Sequence, residues 1–221
     1  NKGFVPPEIS KEIKQKCINL GFYACNFPEE VGGAGLNHLD FALVERELGR
    51  GSMALTHFFG RPQNILMACK GEQIEKYLLP AVRGELMDAL AMTEPDAGSD
   101  VRGMKCFAKS EGSDWIVNGT KHFISGAEHA DFVIVFIATG EEETEKGPKK
   151  KITAFLVDRG TPGFVIRDGY NSVSHKGYKN MILEFDDCRL PKEQVLGEVD
   201  GGFEVMNTWL YATRLTVAAM S

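Results

Sequence analysis

The spacing of apolar residues changes once within the first 120 residues, and this change limits the possible folds more than any other feature of the chain. Ile9, Ile13, Cys17 and Leu20 recur at intervals of four, four and three residues, which is typical of one face of a helix. Gly21 follows, where a C-terminal cap belongs. From residue 115 onward, short apolar stretches bounded by Gly, Pro and Asp replace this helical spacing. The chain therefore begins helical and continues as strands.

Three further helical segments are predicted in the first part. The first covers residues 36–48, with Asn37 as N-cap and Gly49 as the stop. The second covers residues 53–70 and is bent or interrupted at Pro62, because proline lacks the N–H of a helix interior. The third covers residues 72–79 and ends before Pro80. Residues 1–88 are thus assigned to an N-terminal helical domain.

The middle of the chain predicts an antiparallel β-sheet or barrel over residues 89–202. An Asn118-Gly119 pair between two apolar stretches predicts a hairpin turn. Further strands are expected at 132–138, 152–157, 164–166 and 181–185. Helical spacing returns at Phe203, so residues 203–221 are assigned to the first helix of a C-terminal helical domain. A lone amphipathic helix gains most of its stability from packing, and this predicts that further chain follows Ser221. The fold class is α+β and multidomain.

Charge and composition narrow the functional classes. The net charge of −6 argues against nucleic-acid binding, which needs a basic field. The longest apolar runs fall short of the roughly 20 residues of a membrane helix, and no signal peptide is visible. An intracellular protein is expected, cytoplasmic or, in a eukaryote, in the mitochondrial matrix. Five scattered cysteines suggest neither a metal site nor a disulfide framework. A basic cluster after the acidic run 141–145 indicates a solvated hairpin tip, and it comprises Lys146, Lys149, Lys150 and Lys151.

One short connection carries the densest functional signal. Residues 91–100 read Ala-Met-Thr-Glu-Pro-Asp-Ala-Gly-Ser-Asp and lie between an apolar stretch and the predicted strands. This segment resembles the signature of acyl-CoA dehydrogenases. The resemblance continues through 118–126, 158–164 and 185–191, and upstream through 28–35 and 45–49. Several motifs in order are far more specific than one, and together they span nearly the whole chain.

The resemblance implies an N-terminal helical domain, a middle β-domain and a C-terminal four-helix domain, with this chain trimmed at both ends. It implies an FAD flavoprotein of fatty acid metabolism that converts an acyl-CoA thioester to trans-2-enoyl-CoA. A glutamate removes the α-proton while the flavin accepts a hydride from the β-carbon. An electron-transfer flavoprotein is the expected acceptor, and the full-length protein is expected to be a homo-oligomer, a dimer or a homotetramer.

The flavin site follows from the same resemblance. Phe123 and Ser125 stand where the family often has Trp-x-Thr, so a ring and a hydroxyl are kept but the indole donor is lost. Gly98 would allow close approach of the cofactor, and Thr93 would donate to the flavin pyrimidine edge. The residues expected to bind FAD are Leu90, Met92, Thr93, Gly98, Ser99, Phe123, Ile124 and Ser125.

Substrate contacts are expected from Ser99, Lys149, Tyr211 and Arg214, the two cations facing the phosphates of CoA. Arg61 either forms a surface salt bridge or binds a polar acyl group. Glu94 and Asp100 are expected to support the loop and not to act as the base. The position where some relatives carry that glutamate is Thr213. The base is therefore expected beyond Ser221, and this chain alone is predicted to be inactive.

Two alternatives stay open. Acyl-CoA oxidases and flavin monooxygenases share this fold but admit dioxygen to the flavin. A non-catalytic acyl-CoA-binding module on the same scaffold would also match the motifs.

Overall fold

The computed structural model describes residues 5–51, 58–145, 147–173, 177 and 179–221. The chain forms two compact units. The first comprises Asn1–Met87, Ser172–Tyr178 and Met206–Ser221, and the second comprises Asp88–Asn171 and Lys179–Val205. The order of helices, sheet and final helix agrees with the α+β fold class predicted from the sequence.

The first unit contains the predicted helices α1 (Pro7–Asn19) and α2 (His38–Leu48). Gly21 adopts a φ of 74° just after α1, and its N–H donates to the Ile18 carbonyl, as expected of a cap. The Asn37 side chain caps α2, because its oxygen accepts from the N–H groups of Leu39 and Asp40 at 2.9 and 3.0 Å. The end of α1 and the start of α2 were thus readable from local sequence.

Two of the predicted helices differ from those observed. Residues 53–57 of the segment 53–70 lie outside the described residues, and residues 58–70 contain only the 3₁₀ helix Asn64–Ala68. The prediction that the last helix ends before Pro80 is wrong. A π-helical turn, Ile74–Leu78, runs directly into α3 (Leu79–Val82). Pro80 stands in the first turn of α3, where its missing N–H is tolerated.

The second unit is an eight-stranded sheet. Its strands are β1 (Asp88–Ala91), β2 (Phe107–Glu111), β3 (Asp114–Ser125), β4 (Phe132–Thr144), β5 (Gly147–Asp158), β6 (Phe164–Tyr170), β7 (Asn180–Pro191) and β8 (Val195–Leu196). Their order is β6-β7-β3-β2-β4-β5-β8, with β1 paired to β4. Pairing is antiparallel except for β1 with β4 and a single parallel pair between β2 and β4. The sheet is therefore mixed where the sequence predicted an antiparallel one.

The predicted hairpin at Asn118-Gly119 is wrong, because β3 runs straight through these two residues. The Asn118 side chain instead exchanges two hydrogen bonds with Asp187 of β7, at 3.0 and 2.9 Å. Gly119 lies at a break in the β3–β7 register, and a Cβ atom there would come within 2.6 Å of the Cys106 Cα atom. The glycine serves close packing at a bulge, while the actual turn lies at Gly112, between β2 and β3.

The charged segment is a hairpin tip, as predicted. Glu141 faces Lys150 and Glu142 faces Lys149 across β4 and β5, and both pairs form ion pairs. The hydrogen bond and charge of Lys149 hold the pKa of the Glu142 carboxyl below its ordinary value. Lys146 lies outside the described residues.

The final helix, α4, spans Gly202–Met220. Its first four residues belong to the second unit and the rest to the first. Among the described residues, no helix combines the length and the apolar character that crossing a membrane requires.

Candidate functional site

Strand β3 changes the side of the sheet that its side chains face at Phe123. Val117 and Lys121 point into the sheet core at odd positions, and Ile124 points inward at an even one. The extra residue is Phe123, which takes a φ of 56° at a break in the pairing with β7. Phe123 is thereby turned outward and is 50% exposed. The Ile124 side chain is buried in the core, so only its backbone is left to contact a ligand.

Two further aromatic rings support Phe123. The His122 and Tyr170 rings lie 4.2 and 4.4 Å from the Phe123 ring, centroid to centroid. His122 Nδ1 and the Tyr170 hydroxyl are 3.4 Å apart. Tyr170 comes from β6, so the group joins two strands of one sheet. The sequence motif revealed Phe123 but gave no sign of Tyr170, which lies 47 residues further along.

The loop that follows β1 lies against this bend in β3. The backbone N–H of His122 donates to the Thr93 carbonyl at 2.9 Å. Met92 and Thr93 are half-buried, as is Leu90, while its neighbours Ala89 and Ala91 face the core. The two stretches that the sequence singled out, the loop after β1 and the end of β3, are therefore in direct contact.

A buried ion pair that sequence reasoning missed lies behind this contact. Lys121 of β3 is 0% exposed and Glu94 3%, and their Nζ and Oε1 atoms are 2.6 Å apart. The Glu94 carboxylate also accepts from the backbone N–H groups of Lys105 and Cys106, at 2.5 and 3.1 Å. Glu94 thus supports the loop. The available signal was a lysine at an inward position of an alternating strand, which needs a buried partner.

The end of the loop offers hydrogen-bond donors to solvent. Gly98 and Ser99 are exposed, and within the described part of the chain their backbone N–H groups make no hydrogen bond. A Cβ atom at Gly98 would meet nothing within 4 Å, and its φ is not one that requires glycine. Nothing in this chain therefore explains the glycine. Ser125 donates its hydroxyl to Asn180 Oδ1 at 2.9 Å at the other end of the site.

The thiols near the site are not reactive groups. Cys106 and Cys188 are both buried. Burial raises the pKa of the Cys106 thiol to about 12 and that of Cys188 to about 11. Both therefore stay protonated at neutral pH and act as packing residues.

The residues predicted to contact substrate are distributed over both units. Lys149 lies on the β4–β5 hairpin and pairs with Glu142 at 3.0 Å. Tyr211 and Arg214 lie on the part of α4 that belongs to the first unit, and both are exposed, Tyr211 at 71%. Arg61 is half-buried in the first unit. The structure thus brings the start of the loop after β1 against the bend in β3, whereas Lys149, Tyr211, Arg214 and Arg61 lie on other elements.

Two models of known protein families match the chain. The acyl-CoA dehydrogenase N-terminal domain matches residues 4–85, and the acyl-CoA dehydrogenase middle domain matches residues 89–188. The chain belongs to the acyl-CoA dehydrogenase family. The second match contains the loop after β1 and the bend in β3, so the candidate site lies within the middle domain of this family.

Individual members of the acyl-CoA dehydrogenase family are similar over almost the whole chain. Mitochondrial isovaleryl-CoA dehydrogenase of Pongo abelii is 35% identical over 213 residues, which are 94% of this chain and 50% of that protein. The CarC subunit of the caffeyl-CoA reductase–Etf complex of Acetobacterium woodii is 32% identical over 97% of this chain and 57% of its own length. The chain thus spans about half the length of these relatives.

Solved structures agree in fold. Butyryl-CoA dehydrogenase of Megasphaera elsdenii matches 99% of this chain and 57% of its own, with a TM-score of 0.83 and 31% identity. A glutaryl-CoA dehydrogenase of Mycobacterium smegmatis, solved in complex with FADH2, matches 99% of this chain and 54% of its own, with a TM-score of 0.80 and 27% identity.

The residues of this acyl-CoA dehydrogenase domain fit a flavin. Its isoalloxazine ring needs an apolar surface and donors at an electron-rich edge, and its phosphates need further donors. Phe123 offers an exposed ring, and the Thr93 and Ser99 hydroxyls and the N–H groups of Gly98 and Ser99 offer donors on the adjoining loop. The open space at Gly98 leaves room for a cofactor to approach the backbone.

Proposed function

We propose that the protein containing this chain oxidises an acyl-CoA thioester to its trans-2-enoyl-CoA with bound FAD. The observation that carries the proposal is the hydrogen bond of 2.9 Å from His122 to Thr93. It joins the two family motifs into one surface, with donors on the loop and an exposed ring on the strand.

The proposed roles of the chain's own residues are binding and orientation. FAD, when bound, supplies the two-electron acceptor that no side chain provides. Phe123 presents a flat apolar surface to the ring, held by His122 and Tyr170. Thr93 offers its hydroxyl to the polar edge of the ring, and Ser125, whose hydroxyl donates to Asn180, offers its oxygen as an acceptor. Ser99 and the N–H of Gly98 serve the phosphates. Leu90, Met92 and the backbone of Ile124 complete the wall.

No carboxylate on the loop after β1 or on the bend in β3 is proposed to remove the α-proton of the acyl-CoA. Glu94 is buried and holds Lys121 and two backbone N–H groups, so it does not face a ligand. Thr213, at the position where some relatives carry the base, has a hydroxyl and no carboxylate. The proposal therefore leaves the base to a residue outside this chain, as the resemblance implies.

CoA binding and electron transfer complete the proposal. Arg214 and Tyr211 on α4, with Lys149 and Ser99, are proposed to contact the acyl-CoA, because guanidinium and ammonium groups suit its phosphates. An electron-transfer flavoprotein is proposed as acceptor, supported by the similarity to the CarC subunit of an Etf complex. A homo-oligomer is proposed for the whole protein.

Anaerobic titration of the FAD-loaded whole protein with acyl-CoAs of different length tests this function. We expect the visible absorption of the oxidised flavin to bleach and enoyl-CoA to form in equal amount. Binding of FAD and acyl-CoA without bleaching would favour the non-catalytic module. Stopped-flow mixing of the reduced protein with air would separate a dehydrogenase, which reoxidises slowly, from an oxidase.

Gly98→Ala is expected to weaken FAD binding by about tenfold or more without destabilising the fold, because the new methyl group would occupy the cofactor's approach to the backbone. A Cβ atom at this position meets nothing within 4 Å in the chain itself. Fluorescence titration with FAD gives the affinity, and thermal unfolding of the apo-protein serves as the control. Unchanged affinity would remove Gly98 from the site.

A further inference from the structure

The buried pair of Lys121 and Glu94 is not explained by stability. Burying both charges costs solvation energy, and apolar side chains of similar volume often pack at no loss. Besides its ion pair with Glu94, Lys121 makes a second contact in this site. Its Nζ atom donates to the Met92 carbonyl at 3.2 Å. The ammonium group thus joins a carboxylate to one specific peptide of the loop after β1.

The hydrogen bond to the Met92 carbonyl sets the direction of the Thr93 N–H, which belongs to the same peptide group. In a trans peptide the carbonyl and the following N–H point in opposite directions. Because the Met92 carbonyl is held toward Lys121, the Thr93 N–H is directed away from the core. The Thr93 carbonyl is held in turn by the His122 N–H at 2.9 Å. Among the described residues, none accepts a hydrogen bond from the Thr93 N–H.

Glu94 holds Lys121 in place for this contact. Its Oε1 atom lies 2.6 Å from the Lys121 Nζ atom, and its carboxylate is fixed by the N–H groups of Lys105 and Cys106. These two amides precede β2, and Lys121 belongs to β3. The loop after β1 is therefore fastened through one carboxylate to the segment before β2 and to β3.

We propose that Lys121 is a positioning residue that directs the Thr93 backbone N–H at the electron-rich edge of the bound flavin. Lys121 itself touches no ligand and acts through the Met92–Thr93 peptide, with Glu94 as its anchor. The inference rests on the proposed function, because it requires FAD to be the ligand of this loop.

The test compares the wild-type whole protein with the double variant Lys121→Met/Glu94→Gln. The pair is removed without leaving an unpaired charge, and the amide oxygen of the introduced glutamine side chain still accepts from the Lys105 and Cys106 amides. We expect the double variant to fold and to bind FAD about tenfold more weakly, the effect of one lost hydrogen bond. The reduction potential of its flavin is expected to become more negative, since a donor to the reduced ring is lost.

Lys105→Met is the matched control, because it removes a lysine of the same loop whose Nζ atom pairs with Asp96 at the surface. It is expected to leave both FAD affinity and potential at wild-type values. If the double variant also keeps both values, the pair is structural only and the proposal is wrong. If the wild-type protein itself binds no FAD, the proposed function fails first.

A second measurement needs no variant. On addition of FAD to the wild-type protein, the amide proton resonance of Thr93 is expected to move downfield, as hydrogen bonding requires. A Thr93 resonance that stays in place while those of Gly98 and Ser99 move would overturn the proposal and leave FAD binding intact.

Discussion

Lys121→Met alone is expected to lower the free energy of unfolding by about 3–5 kcal/mol, because it leaves the Glu94 carboxylate buried without its counter-charge. Glu94 is 3% exposed, so water cannot replace the lost ammonium group without opening the loop. The carboxylate keeps the N–H groups of Lys105 and Cys106, which reduces the loss but does not neutralise the charge. Most of the penalty is therefore expected to remain.

Urea unfolding of the purified protein, followed by circular dichroism, measures this loss. Adding Glu94→Gln to Lys121→Met is expected to restore most of the stability, since no buried charge is left. Lys105→Met should change the unfolding midpoint little, because its ion pair with Asp96 is at the surface. If Lys121→Met alone were as stable as the wild type, the ion pair of Lys121 and Glu94 would be accessible to solvent.

Glu45→Gln is expected to make the protein more stable at pH 8 than the wild type, by roughly 3 kcal/mol. Glu45 lies on α2 and is 6% exposed, with its Oε1 atom close to Gly60. Burial raises the pKa of its carboxyl from 4.5 to about 7. The folded protein thus prefers the neutral acid, and ionisation at higher pH works against folding.

The sign of the pH dependence follows from this shift. Between pH 4.5 and about 7, the folded state binds a proton at Glu45 that the unfolded state has lost. The contribution of Glu45 to stability is therefore complete below pH 4.5 and is lost as the pH rises to about 7. Other carboxyls, such as that of Glu142, have a lowered pKa and act in the opposite direction. The variant and the wild type must therefore be compared at each pH.

Urea unfolding at a series of pH values from 4 to 8 gives the required difference. The gap between Glu45→Gln and wild type is expected to widen in favour of the variant as the pH rises. Glu47→Gln is the control, since Glu47 is on the same helix, is exposed and pairs with Arg46 at the surface. A gap that does not change with pH would mean that the Glu45 carboxyl reaches water.

The helical part of the fold was predictable where local signals were complete. Asn37 and Gly21 cap their helices through hydrogen bonds to residues at most three positions away. Both caps can therefore be predicted from a short stretch of sequence. Pro80 misled the prediction, because its effect depends on the π-helical turn before it. Asn118-Gly119 misled it too, because the partners of these residues are far away in sequence: Asp187 lies on β7, and Cys106 lies in the segment before β2.

The flavin-site prediction rested on motif positions, which name residues but not their directions. The structure turns Phe123 outward and Ile124 inward through one bulge in β3. A prediction based on strict alternation places one of these two on the wrong side.

The sequence by itself determined the family, the change from helices to strands and the identity of the loop after β1, because motifs, caps and apolar spacing are local properties. Only the tertiary structure decided that Lys121, Glu94 and Met92 meet, and that His122 fastens Thr93 beside Phe123. These contacts join residues 27 to 29 positions apart. They depend on the strand register and on which polar groups are buried next to each other. No local pattern records either property.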